Sequence, residues 1–207
     1  MFVLNYKNLI MKKITLLMIA VLSTASLVAQ DQVKFGLKAG VNFANLVGDD
    51  IDDGETLVGL NVGGLVEIPI SEAFSFQPEL AYSQYGATNN DEGFDVSLNL
   101  DYLTLPLLAK FYVAEGFSLE AGPQIGFKLK GEAEVDNVSV DLEDGVKSFD
   151  YGLTGGVGYS LPMGIIFQAR YYLGLSKVYD NYDTGDIEIE AGDIKNAAFQ
   201  LSVGYMF

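Results

Sequence analysis

The residue types that most often carry catalysis or bind metals are missing from this chain. Its 207 residues include no histidine, cysteine or tryptophan. Nucleophilic sites built on serine, histidine and aspartate or on cysteine and histidine are therefore excluded, as are histidine general bases and histidine-based zinc sites. The acid–base candidates that remain are three glutamates, Glu67, Glu79 and Glu120. We expect these carboxylates to balance nearby lysine and arginine side chains, so the sequence predicts neither an enzyme nor a cofactor.

Two short motifs resemble ligand-binding loops but lack essential parts. Gly152–Gly158 (GLTGGVG) is rich in glycine, yet no helix follows it and it lacks the lysine of a phosphate-binding loop. Asp49–Gly54 (DDIDDG) resembles a calcium loop, but Ile51 occupies a ligand position and the distal glutamate is missing. We predict no dedicated metal site, and loose binding of divalent cations by acidic loops stays an open alternative.

The elements that carry these residues are extended segments in which apolar and polar residues alternate with a period of two. In the first segment Phe35, Leu37 and Val41 share one face, while Lys38 and Asn42 share the other. This pattern is typical of strands whose two faces meet unlike surroundings. Eight segments follow it: Val33–Phe43, Val58–Ile70, Phe74–Tyr85, Leu98–Val113, Phe117–Lys130, Phe149–Leu161, Ile165–Leu175 and Ala197–Phe207.

The connections between these segments alternate between short and long. Three are tight, around Ser71-Glu72, Glu115-Gly116 and Pro162-Met163-Gly164, and four are long, at Ala44–Leu57, Gly86–Ser97, Gly131–Ser148 and Lys177–Asn196. The long connections hold 20 of the 28 acidic residues. An even number of strands with short turns at one end and long loops at the other predicts an all-β fold, an eight-stranded antiparallel up-and-down transmembrane β-barrel.

Alternation alone does not distinguish a membrane barrel from a lipocalin-like soluble barrel with an apolar interior. The polar face, however, carries many small residues, as the narrow interior of an eight-stranded barrel requires. Its charges occur in both signs, so they could neutralise one another if enclosed together. We therefore predict that the apolar face contacts outer-membrane lipid and that the following residues form an interior charge cluster: Lys38, Glu67, Glu79, Lys110, Glu120, Lys128 and Arg170.

The N-terminal segment has the layout of a secretory signal peptide. Lys12-Lys13 precedes the apolar run Ile14–Leu22, and small residues follow up to Ala29. We predict a signal peptide over residues 1–29, with Met11 as an alternative start and cleavage after Ala29, and a barrel domain over residues 30–207. Loss of the three leader lysines would change the net charge from −16 to −19. Such a charge disfavours nucleic-acid binding.

Several strands resemble the small outer-membrane β-barrel proteins of Gram-negative bacteria, a porin family that includes the secretion component PorT. The resembling segments are Phe35–Ala44 (FGLKAGVNFA), Gln77–Gly86 (QPELAYSQYG), Tyr102–Lys110 (YLTLPLLAK) and Ala121–Phe127 (AGPQIGF). The last residues also resemble the aromatic ending that the barrel-assembly machinery reads, with Tyr205 and Phe207 as its aromatic positions. The resemblance implies residence in the bacterial outer membrane and says less about activity.

These observations favour a non-enzymatic outer-membrane barrel whose acidic loops face outside the cell and serve surface interaction or envelope integrity. Two alternatives stay open. Passive transport of small solutes is disfavoured because eight strands leave no open aqueous lumen. Service in protein secretion is what the resemblance to PorT implies, with secretion partners contacting the acidic loops.

Overall fold

The computed structural model describes residues 33–48, 55–91, 94–135, 138–142, 145–179, 182–183, 188–189 and 192–207. The predicted signal peptide, its cleavage site at Ala29 and the acidic motif Asp49–Gly54 lie outside these residues. The strands are β1 (Lys34–Val47), β2 (Leu57–Ser71), β3 (Phe74–Asp91), β4 (Phe94–Ala114), β5 (Phe117–Val135), β6 (Val138–Asp141), β7 (Phe149–Ser160), β8 (Ile165–Gly174), β9 (Tyr182–Asp183), β10 (Glu188–Ile189) and β11 (Lys195–Met206).

Eight of these strands form a closed antiparallel barrel. Each of β1 to β5 pairs with its neighbour in sequence, and β5, β7, β8 and β11 continue the ring. The last strand pairs with the first from Gly36 opposite Met206 to Val47 opposite Lys195, which closes the sheet. The predicted eight-stranded barrel is therefore confirmed. In the described part of the chain, no helix is long and apolar enough to cross a membrane.

The period-two pattern sorts side chains between the interior and the exterior of the barrel. In β1 the buried positions are Gly36, Lys38, Asn42 and Ala44, whereas Phe35 and Leu37 are exposed. Successive strand residues point to opposite faces, so this division repeats around the ring. The exposed band is made of large apolar residues from every barrel strand, which matches the predicted lipid-facing surface.

The connections lie at two ends of the barrel. The turns after β2, β4 and β7 are tight, and two of them contain glycines with positive φ, Gly116 at 71° and Gly164 at 91°. An added Cβ is strained in this left-handed region, which explains the glycines. We call this end the short-turn rim. The connections after β1, β3, β5 and β8 lie at the opposite end, the long-loop rim.

Two of the predicted long loops are shorter than expected because strands continue into them. Strands β3 and β4 pair as far as Asp91 opposite Phe94, inside the predicted loop Gly86–Ser97. Strand β5 continues to Val135 and pairs with the added strand β6, inside the predicted loop Gly131–Ser148. Backbone pairing needs no apolar face once a hairpin leaves the lipid, so alternation in the sequence underestimates these strands.

Candidate functional site: the barrel interior

The interior of the barrel is filled by side chains from all eight strands of the ring. Six of the seven predicted interior charges lie close together toward the short-turn rim, each with only a few per cent of its surface exposed: Lys38, Glu67, Glu79, Lys110, Glu120 and Arg170. They come from β1, β2, β3, β4, β5 and β8 at inward-facing positions. Residues that are far apart in sequence thus form one cluster, which we call the charge network.

Arg170 is the central cation of the charge network. Its guanidinium Nη1 and Nη2 contact the two carboxylate oxygens of Glu79 at 3.0 and 2.8 Å, a forked arrangement. Its Nε also donates to Oε2 of Glu120 at 2.7 Å. On the far side of Glu79, Nζ of Lys38 lies 2.6 Å from Oε2. One arginine therefore joins two carboxylates, and a lysine completes the pairing of the first.

Lys110 links the same network to the carboxylate nearest the short-turn rim. Its Nζ lies 3.1 Å from Oε2 of Glu67 and 3.8 Å from Oε1 of Glu120. Gln77 accepts from Lys110 at 3.3 Å and donates to Glu79 at 2.6 Å, so an amide bridges the two halves. Tyr112 donates its hydroxyl to Glu67. The charges therefore form a continuous chain of alternating sign.

The network balances three cations against three carboxylates. Removing an ion from water costs several kcal/mol, and this cost is recovered only when each ion has good partners. Every member of the network meets at least one opposite charge within 4 Å. Charge balance within the network accounts for the presence of its six charged side chains inside a barrel of this size.

Lys128 differs from the prediction because it lies outside the charge network. Its side chain is half-buried, and its Nζ donates to the backbone carbonyl of Val146 at 2.6 Å. Val146 belongs to the connection after β6, near the long-loop rim. The alternation of the sequence correctly shows that Lys128 faces inward. Lys128 lies much farther along β5 from the tight turn at Glu115-Gly116 than Glu120 does, and it is therefore closer to the long-loop rim.

A tyrosine cluster lies between the charge network and the long-loop rim, and the sequence analysis did not single it out. It consists of Tyr85, Tyr102 and Tyr172, all almost completely buried. Rings of Tyr85 and Tyr172 stack with centroids 5.3 Å apart, and Tyr102 lies 5.8 Å from Tyr85. Their positions on the polar faces of β3, β4 and β8 are the sequence signal that could have identified them.

Polar side chains tie the tyrosine cluster to the strands around it. The hydroxyl of Tyr85 accepts from Nε2 of Gln124 at 2.9 Å and from Nε2 of Gln200 at 3.2 Å. Tyr172 donates to Oδ2 of Asp150 at 2.6 Å, and Ser176 also donates to that carboxylate. The lumen is thus blocked by packed rings whose polar ends are hydrogen-bonded.

The two predicted assembly residues lie at the end of the last strand, on its outer side. Tyr205 and Phe207 are exposed, and their rings meet edge to face with centroids 5.4 Å apart. The backbone nitrogen of Phe207 donates to the carbonyl of Phe35 at 2.7 Å, which ties the end of the chain to β1. A role of this ending in assembly stays a prediction.

The arrangement offers packing and charge compensation rather than an open reaction centre. The carboxylates of the network are held by cations, and none lines a cleft together with a second free acid. Within the described ranges, no three acidic side chains are grouped so that they could hold a metal ion. The described interior is therefore occupied by charge-compensated and hydrogen-bonded side chains.

Comparisons with known proteins agree with this architecture. Neisserial surface protein A (NspA) superposes with a TM-score of 0.56 at 12% sequence identity, covering 84% of this chain and 97% of that chain. The attachment invasion locus protein Ail of Yersinia pestis superposes with a TM-score of 0.51 at 15% identity, covering 86% of this chain and all of that chain. At these identities the likeness shows the fold. No curated protein sequence matches this chain. A family model described as an outer membrane protein beta-barrel domain matches residues 28–180.

Proposed function

This chain belongs to the family of outer membrane protein beta-barrel domains and resides in the bacterial outer membrane, and from that premise we propose that it is a non-conducting, non-enzymatic barrel whose long-loop rim faces outside the cell. In this proposal the barrel is a rigid support in the lipid. The long connections then present the surface that serves interaction with other molecules or the integrity of the envelope.

The observation that carries the proposal is the filled lumen. The charge network lies inside the barrel toward the short-turn rim, and the tyrosine cluster lies between it and the long-loop rim. A solute crossing the barrel would have to separate ion pairs such as those of Arg170, which are buried and hydrogen-bonded on both sides. Breaking a buried pair costs several kcal/mol, so diffusion along this axis is disfavoured.

The difference between the two rims supports the second half of the proposal. At the short-turn rim the turns after β2, β4 and β7 have two to four residues and leave little surface for recognition. The connections at the long-loop rim carry most of the acidic residues of the chain. Long loops on a rigid scaffold are where binding residues of such folds are concentrated.

Conductance across a planar lipid bilayer tests the closed lumen. We expect the purified barrel to give no steady single-channel steps, because the buried ion pairs of the charge network lie inside the barrel. The double variant Tyr85→Ala with Arg170→Ala removes side chains from both blocking layers and serves as the positive comparison. Steady channel steps from the wild-type protein would contradict the proposal and favour a narrow pore for small solutes.

A further inference from the structure

An apolar layer lies at the mouth of the lumen on the long-loop rim, above the tyrosine cluster. Its side chains are partly exposed and pack against a buried apolar cluster that includes all three of those tyrosines. They come from the end of β1, the start of β2, the first part of β4 and the connections after β6 and β8. We call these residues the mouth layer: Leu46, Leu57, Leu98, Leu142 and Tyr179.

The mouth layer continues onto the part of the sheet that extends beyond the ring. Leu98 of β4 is paired with Ala87 of β3 and with Ala133 of β5, so three apolar residues form one row across the extension. Successive rows alternate between the two faces of a sheet. The next row toward the strand ends is polar in all three strands: Thr88, Ser97 and Glu134. The extension therefore presents an apolar face on the side of the mouth layer and a polar face on the other side.

The contacts of Leu57 show that the mouth layer and the sheet extension form one surface. A Cβ added at Gly86 of β3 would lie 3.1 Å from Cδ2 of Leu57 and 1.8 Å from the carbonyl oxygen of Leu98. Leu57 of β2 therefore packs directly on the backbone of the β3–β4 hairpin, beside the row of Leu98. Apolar side chains from three strands are thus contiguous at the mouth.

The mouth layer faces away from the lipid. The lipid-facing residues lie on the outer side of the strands, whereas the mouth layer lies on the side of the lumen, beyond the tyrosine cluster. Contact between apolar surface and water is unfavourable in proportion to the area exposed. A contiguous apolar patch with a polar border is typical of an interaction site, since a partner with apolar side chains removes the patch from water.

The charge of the long-loop rim determines which apolar partner fits. The four long connections predicted from the sequence contain 20 acidic residues and three lysines, a formal charge of −17. Lys128 and Lys130 of β5 also lie close to this rim, and including them leaves the charge strongly negative. Ion pairs within the rim do not alter the sum, because they join charges that are already counted. Such a field attracts cations and repels anions, so the partner must combine apolar groups with positive charge.

We propose that the mouth layer binds a cationic amphipathic segment of an external polypeptide. The apolar side chains of the segment cover Leu57, Leu98 and Leu142, and its lysine and arginine side chains extend toward the acidic connections. These side chains suit the site because their aliphatic stems pack on apolar surface while their charged ends stay in water. The inference rests on the proposed function, since only a rim that faces outside the cell meets an external partner, and it names the class of that partner.

Binding of synthetic peptides to the barrel tests the inference. The folded full-length mature barrel is placed in nanodiscs of phosphatidylcholine, which has no net charge, and binding kinetics are measured by biolayer interferometry with empty nanodiscs as the blank. The probe is an amphipathic peptide of lysine, leucine and alanine, about four helical turns long. One comparison peptide has serine in place of leucine, and the other has glutamate in place of lysine. We expect each to bind at least about ten-fold more weakly than the probe, because each has lost one of the two required properties.

One pair of variants tests the apolar contact. Leu142→Ser changes a mouth-layer side chain in the connection after β6, and Leu161→Ser changes a partly exposed leucine in the short turn after β7. We expect Leu142→Ser to raise the dissociation rate of the probe about five-fold, because apolar area is lost from the bound state. Leu161→Ser at the opposite rim should leave the rate unchanged.

A second pair of variants tests the charge. Glu134→Lys in the sheet extension and Glu115→Lys in a short turn change the charge of the two rims by the same amount. We expect Glu134→Lys to slow association of the probe about three-fold and to reduce its dependence on salt, because a rim charge acts mainly on the encounter of the partners. Glu115→Lys should change neither quantity.

Three results would overturn the inference: no binding of the probe, equal binding of the probe and its serine comparison, or equal effects of Leu142→Ser and Leu161→Ser. A heat-induced change of electrophoretic mobility verifies that each variant is folded, and if Leu142→Ser is not, the comparison peptides and the glutamate variants still decide. Nanodiscs leave both rims accessible, so this assay depends neither on the orientation of the barrel in cells nor on its conductance. Failure here is therefore distinguishable from failure of the proposed function.

Discussion

The charged side chains of the network depend on one another for stability, because each of them is compensated by an opposite charge within the network. Arg170 contacts both Glu79 and Glu120, whereas Glu67 contacts Lys110 alone among the cations of the network. Removing one partner leaves the other charge buried and uncompensated, which is the costly outcome. The contribution of Arg170 to stability should therefore exceed that of any ion pair on the surface.

Replacement of Arg170 by methionine tests this dependence. We expect Arg170→Met to lower the free energy of unfolding by about 3–5 kcal/mol, because Glu79 retains only Lys38 and Glu120 retains only the more distant Lys110. The measurement is urea unfolding of the barrel in phospholipid vesicles. Lys130→Met is the control, since it removes an exposed pair with Glu132 at 2.6 Å and should cost less than about 1 kcal/mol.

The double variant shows whether the effect comes from charge. Adding Glu120→Gln to Arg170→Met removes one positive and one negative charge, so the double variant should be more stable than the sum of the two single effects predicts. Simple additivity, or a loss for Arg170→Met no larger than for Lys130→Met, would show that the network does not stabilise the barrel through charge compensation.

The sequence predicted which residues form the charge network better than it predicted where along the barrel each residue lies. Both signs of charge on one face of the alternating strands were sufficient to single out the six residues that the structure brings together. Lys128 was included because it occupies an inward-facing position like the other six residues, although it lies closer to the long-loop rim than they do. The tyrosines were missed because an aromatic residue on the polar face looks the same in sequence whether it fills the lumen or a turn.

Neighbouring strands approach closely where one of them carries a glycine opposite a large residue. Gly156 of β7 is paired with Arg170 of β8. A Cβ added at Gly156 would lie 2.2 Å from the carbonyl oxygen of Ala169 and 2.6 Å from Cα of Arg170. At the preceding residue, Gly155, an added Cβ would make only an ordinary van der Waals contact, 3.8 Å from the carbonyl oxygen of Glu120. Gly156 is therefore required by the close approach of β8, whereas Gly155 is not.

Alanine substitution at these adjacent positions tests the difference. We expect Gly156→Ala to destabilise the barrel by about 1–3 kcal/mol, because the added methyl group forces β7 and β8 apart at the level of the charge network. Gly155→Ala should have little effect, since its methyl group would meet its nearest neighbour at an ordinary contact distance of 3.8 Å. Urea unfolding monitored by the heat-sensitive mobility of the folded form measures both. Equal losses would indicate that the cost comes from glycine flexibility alone.

The sequence predicted the membrane-spanning parts of the strands well, but it underestimated how far some strands extend beyond the membrane. All eight barrel strands follow from the period-two pattern, because lipid on one side and a narrow lumen on the other impose unlike faces. The hairpin of β3 and β4 extends to Asp91 and Phe94, where no apolar face is required. One contact there is between the hydroxyls of Thr88 and Ser97, at 3.0 Å, a polar pair that sequence alternation does not register.

The proposed function assigns the barrel one orientation in the membrane, with the long-loop rim outside the cell. The chain contains no cysteine, so a single introduced thiol would be the only one to react. Gly145→Cys is suitable at the long-loop rim because, among the residues that the structure describes, no atom lies within 4 Å of an added Cβ. Glu115→Cys is its counterpart in an exposed short turn.

We expect a membrane-impermeant maleimide to label Gly145→Cys on intact cells and to label Glu115→Cys only after the cells are opened. The reason is that the long-loop rim faces the medium in the proposed orientation, whereas the short turns face the periplasm. Gel shift of the labelled protein measures the reaction. Labelling of Glu115→Cys alone on intact cells would place the acidic connections inside and would remove the basis of the proposed function.

The seam between β1 and β11 has a consequence for the biogenesis of the protein. These strands lie at opposite ends of the barrel sequence, yet they are paired from Gly36 and Met206 to Val47 and Lys195. Until β11 is in place, its two neighbours β1 and β8 present unpaired backbone groups that hydrocarbon cannot satisfy. Partial insertion from the N-terminus is therefore unfavourable, and the polypeptide has to be delivered complete and still unfolded before any of it becomes stable in the bilayer.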